Sequence, residues 1–200
     1  MSHRREDVVA TALRVLDDHG LADLTMRRLA AELDVRPSAI YHHVTGKQAL
    51  LAAVADEVLR RGRRPLPEAG WRTRHHAAAH ALRDALLAFR DGAEVVAAVQ
   101  ALGPGDEDPR AGLDEALAAL PSAVRETGAT TTVIFVLGHV QDEQLATGAA
   151  SAGVAHVRPR LDAASFDAGL ALLADGIAAR LEGRAASPSV VRDQRDASWS

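Results

Sequence analysis

The stretch TMRRLAAELDVRPSAIYHHV, residues 25–44, decides how the rest of the chain is read. Thr25 can N-cap a helix in which Met26, Leu29, Ala30 and Leu33 recur at the i, i+3, i+4, i+7 spacing of one buried face. Asp34 and Val35 supply a short turn. Pro37 has its φ preset and lacks an N–H that the first helical position would leave unpaired anyway, so it opens a third, short helix predicted over Pro37–His43. In that helix Ile40 points back to pack, whereas Ser38, Tyr41, His42 and His43 face outward.

Working outward, residues 4–19 carry Val9, Ala12, Leu13 and Leu16 at helical spacing, and Gly20 follows as a C-cap glycine. On the other side, Thr45 and Gln48 have the spacing of a capping box for a fourth helix lined by Leu51, Val54, Ala55, Val58 and Leu59. Pro65 and Pro67 then mark a joint. A long helix is predicted from near Trp71 to about residue 91, with Leu82, Ala85, Leu86 and Phe89 on one stripe, and a shorter one runs on to about Leu102. Gly103-Pro104-Gly105 and Pro109 enclose an acidic loop. Further helices are predicted at about 110–126 and 129–146, the latter carrying Val133, Val136, Leu137 and Val140. The pattern lapses between Gly148 and Pro159. A last helix over about 163–182 carries Phe166, Leu170, Leu173, Ile177 and Leu181. No strand-like alternation of useful length occurs. The fold class is therefore all-α: an N-terminal three-helix helix-turn-helix domain with its connecting fourth helix (1–64), a C-terminal helical bundle for ligand binding and dimerisation (65–184), and a disordered tail (185–200).

Composition narrows the function classes. The chain has 200 residues, a net charge of −4 and no cysteine, which excludes disulfides and thiolate metal sites and leaves histidine and carboxylates as the strong ligands. No apolar run approaches the ~18 residues of a membrane span, and charged residues stand where a signal peptide would be apolar, so a cytoplasmic protein without membrane partners is expected. Residues 1–64 carry a charge of +2 and the remainder −6. That asymmetry is a mild nucleic-acid footprint, which a motif must support. Twenty-two of the 23 basic residues are arginine, and the exception is Lys47.

Two short helices joined by a tight turn, with a longer helix before and after, is the layout that places a recognition helix in the DNA major groove. The DNA-facing set is then Thr25, Arg27, Arg28, Arg36, Ser38, Ala39, Tyr41, His42, His43 and Lys47. Ala39 is small enough to touch a thymine methyl, Arg27 and Arg28 can reach guanine edges or phosphate, and Lys47 adds a point charge to free N–H groups at a helix N-terminus. Against this stands the reading of a solvated helical bundle with a Tyr-His-His surface.

The segments Gly20-Leu21-Ala22-Asp23-Leu24-Thr25-Met26-Arg27-Arg28-Leu29-Ala30, Ser38-Ala39-Ile40-Tyr41-His42-His43-Val44 and Lys47-Gln48-Ala49-Leu50-Leu51 resemble the DNA-binding signature of the TetR family over nearly its whole length. Arg90-Asp91-Gly92-Ala93 and Phe135-Val136-Leu137-Gly138 look like segments of the tetracycline repressors. What the resemblance implies is a homodimeric repressor of operator DNA, released by a small-molecule inducer. It further implies DNA contacts at Arg27, Ser38, Ala39, Tyr41, His42, His43 and Lys47, and dimerisation through the helices at 129–146 and 163–182, where Leu170 and Leu173 are expected to hold the dimer. In the frame set by Arg90-Asp91-Gly92-Ala93, the positions with which tetracycline repressors hold a magnesium–drug chelate become Ala78, Val96 and one of Gly62, Arg63 and Arg64. Only Asp142 matches an acidic pocket position. A magnesium–tetracycline ligand is therefore not expected, and no cofactor or metal is.

The expected ligand wall, enclosed by the helices at 71–91 and 129–146, is Leu82, Leu86, Phe89, Val96, Val99 and Leu137, with His75, Gln100, His139 and Asp142 as polar handles. Binding is expected to shift the segment ending at Gly103-Pro104-Gly105 and to tilt the fourth helix. His76 and His80, at i, i+4, have a spacing that binds zinc when a third ligand joins them. With no Cys and no His-Glu-x-x-His arrangement, cavity-lining or surface imidazoles are the plainer reading. An enzyme or metal-binding protein using the histidines at 75–80 is the alternative from another class, and a regulator that activates, or that answers to a partner protein, is an alternative within the fold. No phosphate loop or catalytic set supports an enzyme.

Overall fold

The computed structural model describes residues 4–103, 105–151, 153 and 161–183, and among these all regular elements are helices. α1 (Arg5–His19) buries Val8, Ala12, Leu13, Val15 and Leu16 and stops at Gly20, whose φ of 82° lets its N–H reach the Leu16 carbonyl. After a 3-10 turn (Leu21–Asp23), α2 (Met26–Glu32) is N-capped by Thr25, whose hydroxyl accepts the Arg28 N–H at 3.1 Å. α3 spans only Pro37–Ile40, not Pro37–His43. Tyr41–His43 continue as a turn, with the His43 and Val44 N–H groups both directed at the Ile40 carbonyl, because Val44 is drawn into the core beside Ile40.

α4 (Lys47–Gly62) is N-capped by Gly46, one residue later than Thr45. The predicted Thr45–Gln48 box does not form, since the shift moves the reciprocal position onto Ala49. α4 packs between α1 on one side and α5 (Trp71–Leu87) and α6 (Gly92–Leu102) on the other, which explains why it buries Leu50, residues 52–56, Val58, Leu59 and Gly62. Gly62 meets α5 so closely that a Cβ there would lie 2.2 Å from the Ala85 Cβ.

α5 ends at Leu87, short of the predicted residue 91. Asp91 adopts the left-handed conformation (φ 56°), and Gly92 presses against the Leu86 carbonyl, where a Cβ would approach to 2.3 Å. The predicted pair at 110–126 and 129–146 is divided differently, into α7 (Ala111–Ala116) and the thirty-residue α8 (Ser122–Ser151). The break falls at Pro121, whose carbonyl receives the Val124 and Arg125 N–H groups. No break follows, because Gly128 lies inside the helix where Ile177 and Leu117 fill the space beside it. α9 (Ala163–Leu181) starts with a reciprocal Asp162–Ser165 capping box and buries Phe166, Leu170, Ala174 and Ile177.

Leu170 is thus part of the protomer's own core, 1% exposed, and not a dimer contact as expected; helical rotation leaves Leu173 half-buried and Leu172 75% exposed. The tail at 185–200 and most of the lapse at 148–159 lie outside the described residues.

Candidate nucleic-acid interface and sensor cleft

Thr25, Arg27, Arg36, Ser38, Tyr41, His42 and Lys47 are exposed, and Arg28, Ala39 and His43 are half-buried. Ile40, Leu29 and Leu24 beneath them are buried, so the core fixes the outward direction of the others. Tyr41, the chain's one tyrosine, keeps 52% of its surface in solvent. Arg28 leans toward Glu32 at 3.9 Å, whereas Arg27, Arg36 and Lys47 have no carboxylate partner among the described residues. Lys47, exposed, opens α4, whose first turn has neither a side-chain cap nor an acidic residue, so a cation stands beside free helix N–H groups.

Polar side chains without a local sequence signal join this head to the bundle and brace the joint. The buried Asp56 of α4 accepts the N–H groups of Asp106 and Glu107 at 3.0 and 2.9 Å, fastening the acidic loop after α6 to α4. Glu107 adds ion pairs to Arg60 and Arg63. Asp91 accepts the Leu21 N–H at 2.8 Å, and Asp17 accepts the Arg90 N–H at 3.2 Å, so the α5–α6 turn is bonded to the end of α1 and the turn after it. Gln144 of α8 grips the same turn from behind, donating to the Leu86 and Phe89 carbonyls and accepting from the Ala93 N–H. Each bond joins residues about fifty or more apart in sequence, beyond the reach of local pattern.

A cleft of about 360 Å³ opens between the end of α4, the joint at 63–66, α5 and the 107–115 segment. Its apolar wall is Leu59, Ala78, Ala81, Leu82, Ala85 and Leu113, and Arg63, Arg64, Glu107 and Glu115 rim it. Of the expected ligand residues only Leu82 borders this cleft. His75, Leu86, Val96, Val99 and His139 are buried, Phe89, Leu137 and Asp142 half-buried, and Gln100 exposed.

His75 Nε2 lies 2.9 Å from Thr132 Oγ1, and that hydroxyl already donates to the Gly128 carbonyl at 2.8 Å. The hydroxyl has a single proton, so His75 is the donor to it, which assigns the Nε2–H tautomer and leaves Nδ1 buried and unpartnered. Burial first, and the neighbouring His76 second, lower its pKa from the ordinary 6.5 to about 4. Burial also lowers the pKa of His139, partly offset by the nearby Glu143. Arg83 meets Glu143 through one bidentate nitrogen at 3.0 and 2.8 Å. His76 and His80 lie side by side on α5, and α9 brings Asp167 against both.

An all-helical chain with an outward-facing helix-turn-helix, bonded at two points to a bundle that carries a cleft, has the architecture of a DNA-binding regulator. The family model described as bacterial regulatory proteins, tetR family, matches residues 8–54, and the tetracyclin repressor-like C-terminal domain model matches residues 64–164. The chain belongs to the TetR family of bacterial regulatory proteins. It is 34% identical over 195 residues to the class A tetracycline repressor protein from transposon 1721 of Escherichia coli, covering 86% of this chain and 89% of that protein. Its match to the class C repressor of the same species, 37% over 145 residues, covers 70% of this chain and 66% of that one. Among solved structures, BioQ of Mycobacterium smegmatis is 44% identical with a TM-score of 0.80, covering 88% of this chain and 98% of that one. A BioQ structure with its double-stranded DNA operator is 42% identical with a TM-score of 0.74, over 88% and 99%.

Proposed function

We propose that the protein is a homodimeric transcriptional repressor that binds a near-palindromic operator through Arg27, Ser38, Ala39, Tyr41, His42, His43 and Lys47, with Thr25, Arg28 and Arg36 beside them, and that a small molecule releases it. The observation that carries this reading is that Tyr41, Arg27, Arg36 and Lys47 are all exposed over the buried Leu24, Leu29 and Ile40, the three cations having no carboxylate partner among the described residues. The likeness to operator-bound BioQ supports it. No catalytic role is assigned.

The inducer site we propose centres on the cleft beside Leu82, which the other expected residues of α5, α6 and α8 do not border. At 360 Å³ and half apolar it suits a small amphipathic molecule. Ala78 and residues 62–64, which stand where tetracycline repressors hold their chelate, border this cleft, and Val96 is fully buried. None of these but the two arginines is polar, so an obligatory magnesium–drug chelate has no imidazole or amide to hold it there. A ligand in the cleft would touch Glu107, and through the loop bonded to Asp56 would displace α4 with Lys47.

The test is fluorescence anisotropy with duplexes from the region upstream of the protein's own gene. Tyr41→Ala and Lys47→Ala should both weaken binding while helix content is kept. Loss of one phosphate contact should lower the log–log salt slope by about 0.9, whereas loss of a base contact should relax sequence preference by about 1–3 kcal/mol. Unchanged operator affinity in both variants refutes the interface. Because ligand and operator must weaken each other by one common factor, an inducer binds free protein more tightly than the complex.

A further inference from the structure

We propose that His76, His80 and Asp167 form a binding site for a zinc-like divalent transition-metal ion, which staples α9 to α5. The sequence supplied two imidazoles one helical turn apart and no third ligand. The fold supplies it from a helix almost ninety residues further on. Asp167 Oδ1 lies 2.8 Å from His80 Nε2 and 3.6 Å from His76 Nε2, and the three ligand atoms all fall within 4.8 Å of one another. A tetrahedral ion bonded at ~2.0–2.2 Å needs its ligand atoms about 3.3 Å apart, a spacing that the two observed separations bracket. The three side chains thus already stand near the spacing that an ion would require of them.

The surroundings distinguish this cluster from an ordinary interhelical ion pair. About two turns further along α9 on the same seam, Asp175 meets Arg72 at 3.0 Å, a conventional guanidinium–carboxylate bridge. Asp167 instead faces two imidazoles and, among the described residues, no arginine or lysine. The two rings lie side by side, 4.3 Å between centroids, and the buried Phe166 supports the His80 ring edge-on at 5.1 Å, which limits its rotation. Side-chain exposures of 57%, 29% and 52% for His76, His80 and Asp167 leave a way in for an ion and an open fourth position for water or a further ligand. Two nitrogens and one oxygen favour zinc, copper, nickel or cobalt over magnesium or calcium, which prefer oxygen alone. The site lies on the face of α5 toward α9, away from the cleft bordered by Leu82, and stands whether or not the inducer reading does.

The test uses the full chain without a histidine tag. Zn2+ titrated by calorimetry should bind once per chain, and Co2+ at the same site should show the visible absorption of a four-coordinate ion. His76→Ala and Asp167→Asn should each weaken binding by about tenfold or more, while His42→Ala, on the DNA-facing surface, should leave it unchanged. Asp167→Asn retains a hydrogen-bond acceptor for His80, so it separates loss of a ligand from loss of the fold. Zn2+ should also raise the thermal midpoint of the wild type and not of Asp167→Asn, and slow hydrogen exchange in α9. No saturable binding at micromolar Zn2+, equal binding by the three variants, or displacement of Zn2+ by an equimolar amount of Mg2+ overturns the site.

Discussion

Asp56 shows how one side chain can carry more than its own stability. Both N–H groups that it accepts belong to the loop after α6, and a Cβ on Gly105 would approach its Oδ1 to 3.1 Å, so loop and carboxylate fit with little slack. Asp56→Ala leaves two donors without an acceptor, which should lower stability by about 1–3 kcal/mol in urea titrations. It should also reduce the factor by which inducer weakens operator binding, since the loop then moves without α4. Undiminished coupling in a folded Asp56→Ala protein would remove Asp56 from the pathway. His75 makes a separate prediction. The fold holds it neutral with a pKa of about 4, whereas the unfolded chain takes up a proton near 6.5. Its contribution is therefore complete above pH 6.5 and is lost as the pH falls toward 4, amounting to about 3 kcal/mol. His75→Asn, measured with EDTA present so that no ion binds next door, should flatten the stability profile across that window. An unchanged slope would mean that other groups dominate it.

Between elements, the decisive contacts are made by residues with almost no side chain. The 2.2 Å approach of a Cβ at Gly62 to the Ala85 Cβ is shorter than any carbon contact allows, so Gly62→Ala must push α4 and α5 apart. Overpacking of this kind costs about 1–3 kcal/mol. A second substitution, Ala85→Gly, should recover much of the loss apart from the helix propensity of glycine, about 1 kcal/mol. Additive losses in the double variant, measured by thermal unfolding, would show that the crossing tolerates the methyl group. The same scale explains what was legible in the sequence. α1 and α2 are legible nearly to the residue because their caps, Gly20 and Thr25, are local signals, and α9 because Phe166, Leu170 and Ile177 keep one helical stripe. The outward set of Ser38, Tyr41 and His42 was legible for the same reason. The partition of 110–151 was misjudged because apolar spacing continues smoothly across Pro121, and the interior Gly128 reads as a stop when Ile177 is not in view. Asp56, Asp91, Gln144 and Asp167 were invisible as functional groups, since each acts on a partner from a distant part of the chain.

At the scale of the whole molecule, large apolar side chains of α8 and α9 are exposed among the described residues. Ile134 and Leu145 of α8 and Leu172 of α9 are 66%, 64% and 75% exposed, and Leu172 borders a groove between the two helices with Thr127, Thr131, Leu173 and Gly176. These are the helices through which the family resemblance places dimerisation. Ile134→Arg and Leu172→Arg should each give a folded monomer in sedimentation velocity, whereas Leu170→Arg, in the core, should lose helix content instead. A dimer that survives both exposed substitutions would move the interface elsewhere. The position of α4 has one more consequence. It is common property of head and bundle, bonded through Asp56 to one and packed through Leu50 and Val54 into the other, while Asp91 reaches past it to Leu21. Exchanging DNA specificities between relatives by cutting at the proline joint would therefore sever the Asp56 and Gly62 contacts and leave Asp91 facing a foreign surface. A working chimera has to splice before α4, near Gly46, and carry its own match for Asp17 and Leu21.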